Sequence, residues 1–194
     1  MLFRSVYMQT AERIRAAFFT RSDERIETRS SHALGIWQFI NIFLLSLVTG
    51  VFWGTWLGLS RSMTSLSTGT FLEVAHAMIG NLGIIMAILM PAAILSTLPV
   101  LYLLSRRRPK AFYATLVGLM LFVVALLITL LVEVPLDLQF QQWTLTNLPA
   151  NWQQLRDRWE FWHVIRSWVS LIGLALMLGA ALLWRETVTR RTFS

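Results

Sequence analysis

The sequence predicts an all-α integral membrane protein. The expected architecture is a four-helix bundle with extended outer ends on helices 2 and 4, preceded by a basic amphipathic helix. Three observations predict it. Of 194 residues, 56% are hydrophobic and 14% charged, with a mean hydropathy of +0.59, whereas soluble domains carry about 25% charged residues. Four apolar stretches each reach the roughly 20 residues that a helix needs to cross hydrocarbon. The Lys and Arg residues fall in blocks between those stretches.

The first element is the segment 1–31, with Arg4, Arg13, Arg15, Arg21, Arg25 and Arg29. Phe3, Val6, Tyr7, Ile14, Ala17 and Phe18 recur in it at helical spacing. This pattern suits a helix lying on the membrane surface, its basic side against headgroups. No cleavable leader is expected, because the first apolar run is too long for one. The remainder, 32–194, reads as one four-span membrane domain.

Span one is expected over about 36–59. Trp37 stands at one end and Trp53 and Trp56 at the other, as interfacial aromatic belts do. Gly50, Gly54 and Gly58 repeat every four residues, which predicts a smooth face for a closely packed neighbour. A Ser/Thr/Gly loop follows. Helix 2 begins near Phe71 and crosses over about 80–105, so its first turns should stand above the membrane. Pro91 and Pro99 are expected to kink it, since each lacks a backbone donor. The Arg106–Lys110 run is a sharp basic turn. Span three, about 111–133, is expected to end at Glu133, Pro135 and Asp137. Asn151 is a suitable N-cap for the last helix, whose crossing covers about 163–185.

Thirteen of the 17 Lys and Arg lie in the N-terminal segment, the 106–110 turn and the C-terminal tail. Three, Arg61, Arg156 and Arg158, lie in the two opposite loops. The bias predicts cytoplasmic termini, in an inner membrane of bacterial type. The net charge of +7 is accounted for by topology and lipid headgroups, not nucleic acid. The absence of cysteine excludes thiol chemistry, disulfides and cysteine-ligated metals. No Gly-rich phosphate loop is present. A transport pathway is disfavoured by the lack of repeats and of midplane charge.

This topology gathers the unusual polar residues at the outer end. With a crossing of about 30 Å and a rise of about 1.5 Å per residue, Asn81, Glu133, His163 and Arg166 reach one height. His76 and Glu160 follow one turn above, and Glu73 and Arg156 higher still. Ionisable groups at such depth normally face the bundle interior in pairs. The expected pairs are Glu133 with Arg166, and Glu73 with Arg156 or Arg158. Two readings follow. In one, the cluster is a structural clasp, in a non-catalytic partner subunit or a small-ligand binder. In the other, His163, Arg166, Glu133 and Asn81 act chemically in a pocket lined by His76, Trp159, Trp162 and Arg158. Apolar walls with a few convergent polar groups suit a lipophilic aromatic ligand. His163, beside an acid and a cation, is the candidate proton carrier.

Glu73-Val-Ala-His76 and Glu160-Phe-Trp-His163 are both Glu-x-x-His, and Glu133 lies on a third helix. Such sets build dimetal carboxylate sites, with iron a usual metal. The favoured expectation is no cofactor, because span one offers no carboxylate and Glu73 stands about 10 Å above Glu133 by helical rise.

The run Glu133-Val-Pro-Leu-Asp137, Leu148-Pro-Ala-Asn-Trp152, Leu155-Arg-Asp-Arg-Trp159 and His163-Val-Ile-Arg166 resembles the membrane family that includes the fungal anthrone oxygenases. The family pattern has Asn where this chain has Glu133 and Asp137. The resemblance implies oxygen insertion at an activated aromatic methylene, without flavin or metal. It further implies His163 as the base, with Arg166 and Asn81 stabilising the enolate oxygen. A homo-oligomer or a partner membrane protein is compatible with this layout.

Overall fold

The computed structural model describes residues 2–105 and 109–192, with side chains described over 30–59, 61–62, 65–105 and 109–183. The described residues are almost wholly helical, in six α-helices. They are α1 (Leu2–Gly58), α2 (Thr68–Leu95), α3 (Thr97–Ser105), α4 (Pro109–Ile128), α5 (Val134–Phe140) and α6 (Trp152–Thr192). Four segments are long and apolar enough to cross a membrane: Ser30–Gly58, Thr68–Ser105, Pro109–Phe140 and Trp152–Leu183. The chain is an integral membrane four-helix bundle. The second span is α2 with α3, and the third is α4 with α5.

The backbone of the N-terminal segment is helical and continuous with the first span. Its expected basic and apolar faces, like the turn residues Arg106, Arg107 and Arg108, lie outside the described side chains.

Two prolines shape the spans differently. Pro91 is accommodated inside α2. The break at Ser96 falls just after Leu95, whose carbonyl Pro99 would crowd in a regular helix. The opened backbone is served by the first span. Asn41 Nδ2 donates to the Ala93 carbonyl (3.2 Å), Ser96 Oγ (2.9 Å) and Thr97 Oγ1 (2.8 Å). All three side chains are buried. In hydrocarbon an unpaired carbonyl costs several kcal/mol, so this knot makes the break tolerable.

The third span does not stop at Glu133, Pro135 and Asp137 as expected. It passes through a π-helical turn, Thr129–Glu133, and resumes as α5 to Phe140. The Val134 N–H reaches back to the Thr129 carbonyl, one residue further than an α-helix requires. Widening the turn just before Pro135 lets the helix continue past a residue without a donor.

The close helix approach is also elsewhere than the glycine repeat suggests. Gly50, Gly54 and Gly58 are exposed, and a Cβ on any of them would meet nothing within 4 Å. Gly118 and Gly173 are the tight contacts. A Cβ on Gly173 would stand 3.0 Å from the Phe122 ring, and one on Gly118 3.1 Å from the Gly173 carbonyl. Between lipid-immersed helices, such van der Waals fit replaces the hydrophobic drive, and it welds α4 to α6.

Three apolar clusters stack along the bundle. Leu34, Val100, Leu104, Ala111 and Ala180 form the one nearest the termini. Leu45, Val48, Phe52, Met90, Phe122, Ala125 and Met177 are the middle. At the far end Phe71, Leu72, Leu136, Phe140, Trp143 and Trp159 make an aromatic cap.

Candidate functional site

The π turn sets the site. It carries Thr129 at its start and Glu133 at its end, both facing α6. Glu133 is fully buried, and so, to within 1%, is His163. Arg166, one turn along α6, lies between them: its Nη2 is 2.8 Å from His163 Nδ1 and 3.0 Å from Glu133 Oε2. Neither Glu133 oxygen has a hydrogen bond among the described residues. Glu133 and Arg166 form a buried ion pair. Arg166 Nη1 donates to Thr129 Oγ1 (3.1 Å), which itself donates to the Ala125 carbonyl (2.9 Å). The guanidinium lies over the Phe52 ring, 4.4 Å from its centroid.

These contacts define the state of His163. Arginine only donates, so Nδ1 accepts. Nε2 then carries the hydrogen and donates to the Phe52 carbonyl (3.1 Å). Both ring nitrogens are engaged, and the ring is stacked on Trp159 at 4.9 Å and 12°. Trp159 in turn donates its indole N–H to Asp137 Oδ1 (2.9 Å). Asp137 interacts electrostatically with both Glu133 and Arg166. Its second oxygen has no hydrogen-bond partner among the described residues.

This chain of groups forms one corner of a cavity of about 250 Å³. Asp137, Trp159, His163 and Arg166 are at that corner. The remaining wall is mostly apolar, with Phe52, Ile79, Leu82, Met86, Met90 and Leu126 prominent in it. Arg166 Nε is buried and has no acceptor among the described residues.

The structure brings together three of the four residues expected to act chemically. Asn81 is not with them. It is two residues from both Ile79 and Gly83, hence about 200° round the helix from them, and is exposed. Of the expected lining residues, only Trp159 borders the cavity. His76 is engaged with the Phe140 carbonyl (2.8 Å), tying α2 to the end of α5. Trp162 packs edge-on against Phe161, and Arg158 is exposed. Glu73 is exposed, while Arg156 pairs with its neighbour Asp157 at 2.8 Å. The five residues of the dimetal alternative, Glu73, His76, Glu133, Glu160 and His163, are not assembled. Among the described residues no three His, Asp or Glu are placed to hold a metal.

Asp137 is the site residue that sequence reasoning missed. Its spacing of four from Glu133 was available as a signal, but a helix expected to end there gave no reason to extend the face.

Fold and site together define a four-span membrane protein with an apolar cavity whose inner corner is charged. The family model described as anthrone oxygenase matches residues 83–176. The chain is anthrone-oxygenase-like over that stretch, which holds Glu133, Asp137, Trp159, His163 and Arg166. No curated protein and no solved structure matches it.

Proposed function

We propose that the protein oxidises a small lipophilic aromatic or quinone-like compound of the anthrone type in this cavity. The observation that carries the reading is Arg166, whose side chain lines an otherwise mostly apolar cavity and whose buried Nε–H has no acceptor among the described residues. A buried donor without an acceptor costs about 1–3 kcal/mol, and a ligand oxygen would supply the partner. The cavity lies near the lower end of ligand sites, about 300–1,000 Å³, so the ligand is compact.

The engaged nitrogens of His163 shift the base assignment. With its lone pair held by Arg166, His163 orients the guanidinium, and Asp137 is the group with a free oxygen. Asp137 takes a proton from the activated methylene. The resulting enolate oxygen lies against Arg166, which stabilises the charge as it develops. The carbanion carbon reacts with O₂ to form a hydroperoxide. Loss of water then leaves a carbonyl, so one methylene and one O₂ become one C=O and one H₂O. The substrate carbon supplies all the electrons.

Oxygen uptake with anthrone, using the protein in lipid nanodiscs, tests this. The rate should exceed protein-free autoxidation and fall about 10²–10⁴-fold in Asp137→Asn, the usual worth of general base catalysis. A wild-type rate equal to autoxidation would remove the enzyme reading and leave a non-catalytic ligand binder. We place both termini in the cytoplasm on the Lys and Arg bias, which puts the site near the opposite face.

A further inference from the structure

The cavity lies between two apolar clusters and has one wall of exposed residues. Above it stands the aromatic cap of Phe71, Phe140, Trp143 and Trp159. Below it Met90, Phe122 and Ala125 are packed in the middle core. The lining residues of α1 and α6 are buried or half-buried. The exposed ones are Gly83, Ala87 and Pro91 on the second span and Leu130 and Val134 on the third. Each set follows i, i+4 spacing, so each forms a stripe along its helix. His76 locates the seam between them. It lies seven and eleven residues before Gly83 and Ala87, on the same side of α2, and it bonds the Phe140 carbonyl of the third span. The two spans are thus tied at that end, and the exposed lining residues lie beyond the tie.

The residues flanking this gap are Ile84 and Ile88 on one side and Leu127 and Leu131 on the other, all exposed and apolar. Such surfaces face lipid. At Gly83 a Cβ would meet nothing within 4 Å, so this lining position has open space beside it.

We infer that the seam between the second and third spans, at Gly83 and Ala87, is a lateral portal through which a flat apolar molecule dissolved in the bilayer enters the cavity. This rests on the proposed function for the identity of the physiological ligand; the route itself does not. The occupant is a rigid ring system rather than a lipid acyl chain. Asp137 and Arg166 line one corner of the otherwise mostly apolar space, and a ring system bearing a polar substituent can pair with them whereas an acyl chain offers no polar partner.

The absence of cysteine and the burial of the cavity wall make photolabelling decisive. A small apolar aryl-diazirine, dissolved in nanodiscs carrying the full chain, should label Phe52 and Trp159, although these are only 2% and 3% exposed. In Ala87→Trp, which fills the gap, that interior labelling should fall at least tenfold. Labelling of the lipid-facing Ile84 should stay unchanged and serves as the fold control. Gly83→Leu should act like Ala87→Trp, and Gly54→Trp, on another exposed face, should have no effect. The inference is overturned by an unlabelled interior in the wild type, or by equal interior labelling in both plug variants. It is equally overturned if a saturated acyl-chain diazirine on a phospholipid labels Phe52 as strongly as the aryl probe. Anthrone should compete with the probe; failure to compete, with the portal intact, counts against the anthrone reading alone.

Discussion

Removing the Glu133 carboxylate is the most informative single change. Glu133 is the counter-ion of a guanidinium that is buried among Phe52, His163 and Thr129. At the observed 3.0 Å, Coulomb attraction is worth about 5 kcal/mol for an effective dielectric of about 20. Desolvation of both ions offsets much of that. Taking away one partner leaves the other charge stranded, at a cost of about 3–5 kcal/mol. Glu133→Leu should therefore destabilise the bundle by about that much, as should Arg166→Met. The double variant should lose far less than the sum, because it strands no charge and refills the space with apolar volume. Unfolding by SDS in mixed micelles, read by far-UV circular dichroism, gives the four free energies of the cycle. Additive losses in the double variant would refute the reasoning, since they would mean the two side chains stabilise the fold independently.

Other expectations follow from the same contacts. Trp159→Phe keeps the stacking on His163 but deletes the bond to Asp137, and should cost about 1.5–3 kcal/mol in the same assay. Gly173→Ala should destabilise by about 1–3 kcal/mol through its contact with Phe122; Gly54→Ala should be neutral or stabilising by up to about 1 kcal/mol through helix propensity. Asn41→Leu should cost about 1–3 kcal/mol by removing the buried amide that donates to Ser96 Oγ, Thr97 Oγ1 and the Ala93 carbonyl, and should raise amide exchange around Ser96. His76→Ala should loosen the seam between α2 and α5, seen as faster exchange at residues 71–80 with a loss near 1 kcal/mol.

Much of this molecule was legible because lipid simplifies the rules. Four spans follow from hydropathy alone, and helix lengths from the thickness of hydrocarbon. The meeting of Glu133 with Arg166 was reachable by counting rise per residue from the far ends of two spans, since a buried charge at that depth needs a partner. Three features were not reachable for specific reasons. The π turn at Thr129–Glu133 leaves no signature in apolar periodicity, so Pro135 read as a terminator and Asp137 as a loop residue. The glycine repeat of the first span records only small side chains, not which helix lies opposite; the tight contact fell to isolated Gly118 and Gly173. Asn41, alone in an apolar run, pairs with a break fifty residues away, and no local pattern points to that. Asn81 shows the limit of depth as a guide: it has the right height and the wrong side of the helix.

The proposed chemistry requires Arg166 to receive the oxygen end of a ligand at the charged corner of the cavity. Solid-state NMR of arginine-¹⁵N-labelled protein in lipid with anthrone ¹³C-labelled at its carbonyl measures that contact directly. Dipolar dephasing between the carbonyl carbon and a guanidinium nitrogen should appear in the wild type and vanish in Arg166→Gln. Its absence in the wild type, or its persistence in the variant, would contradict the account.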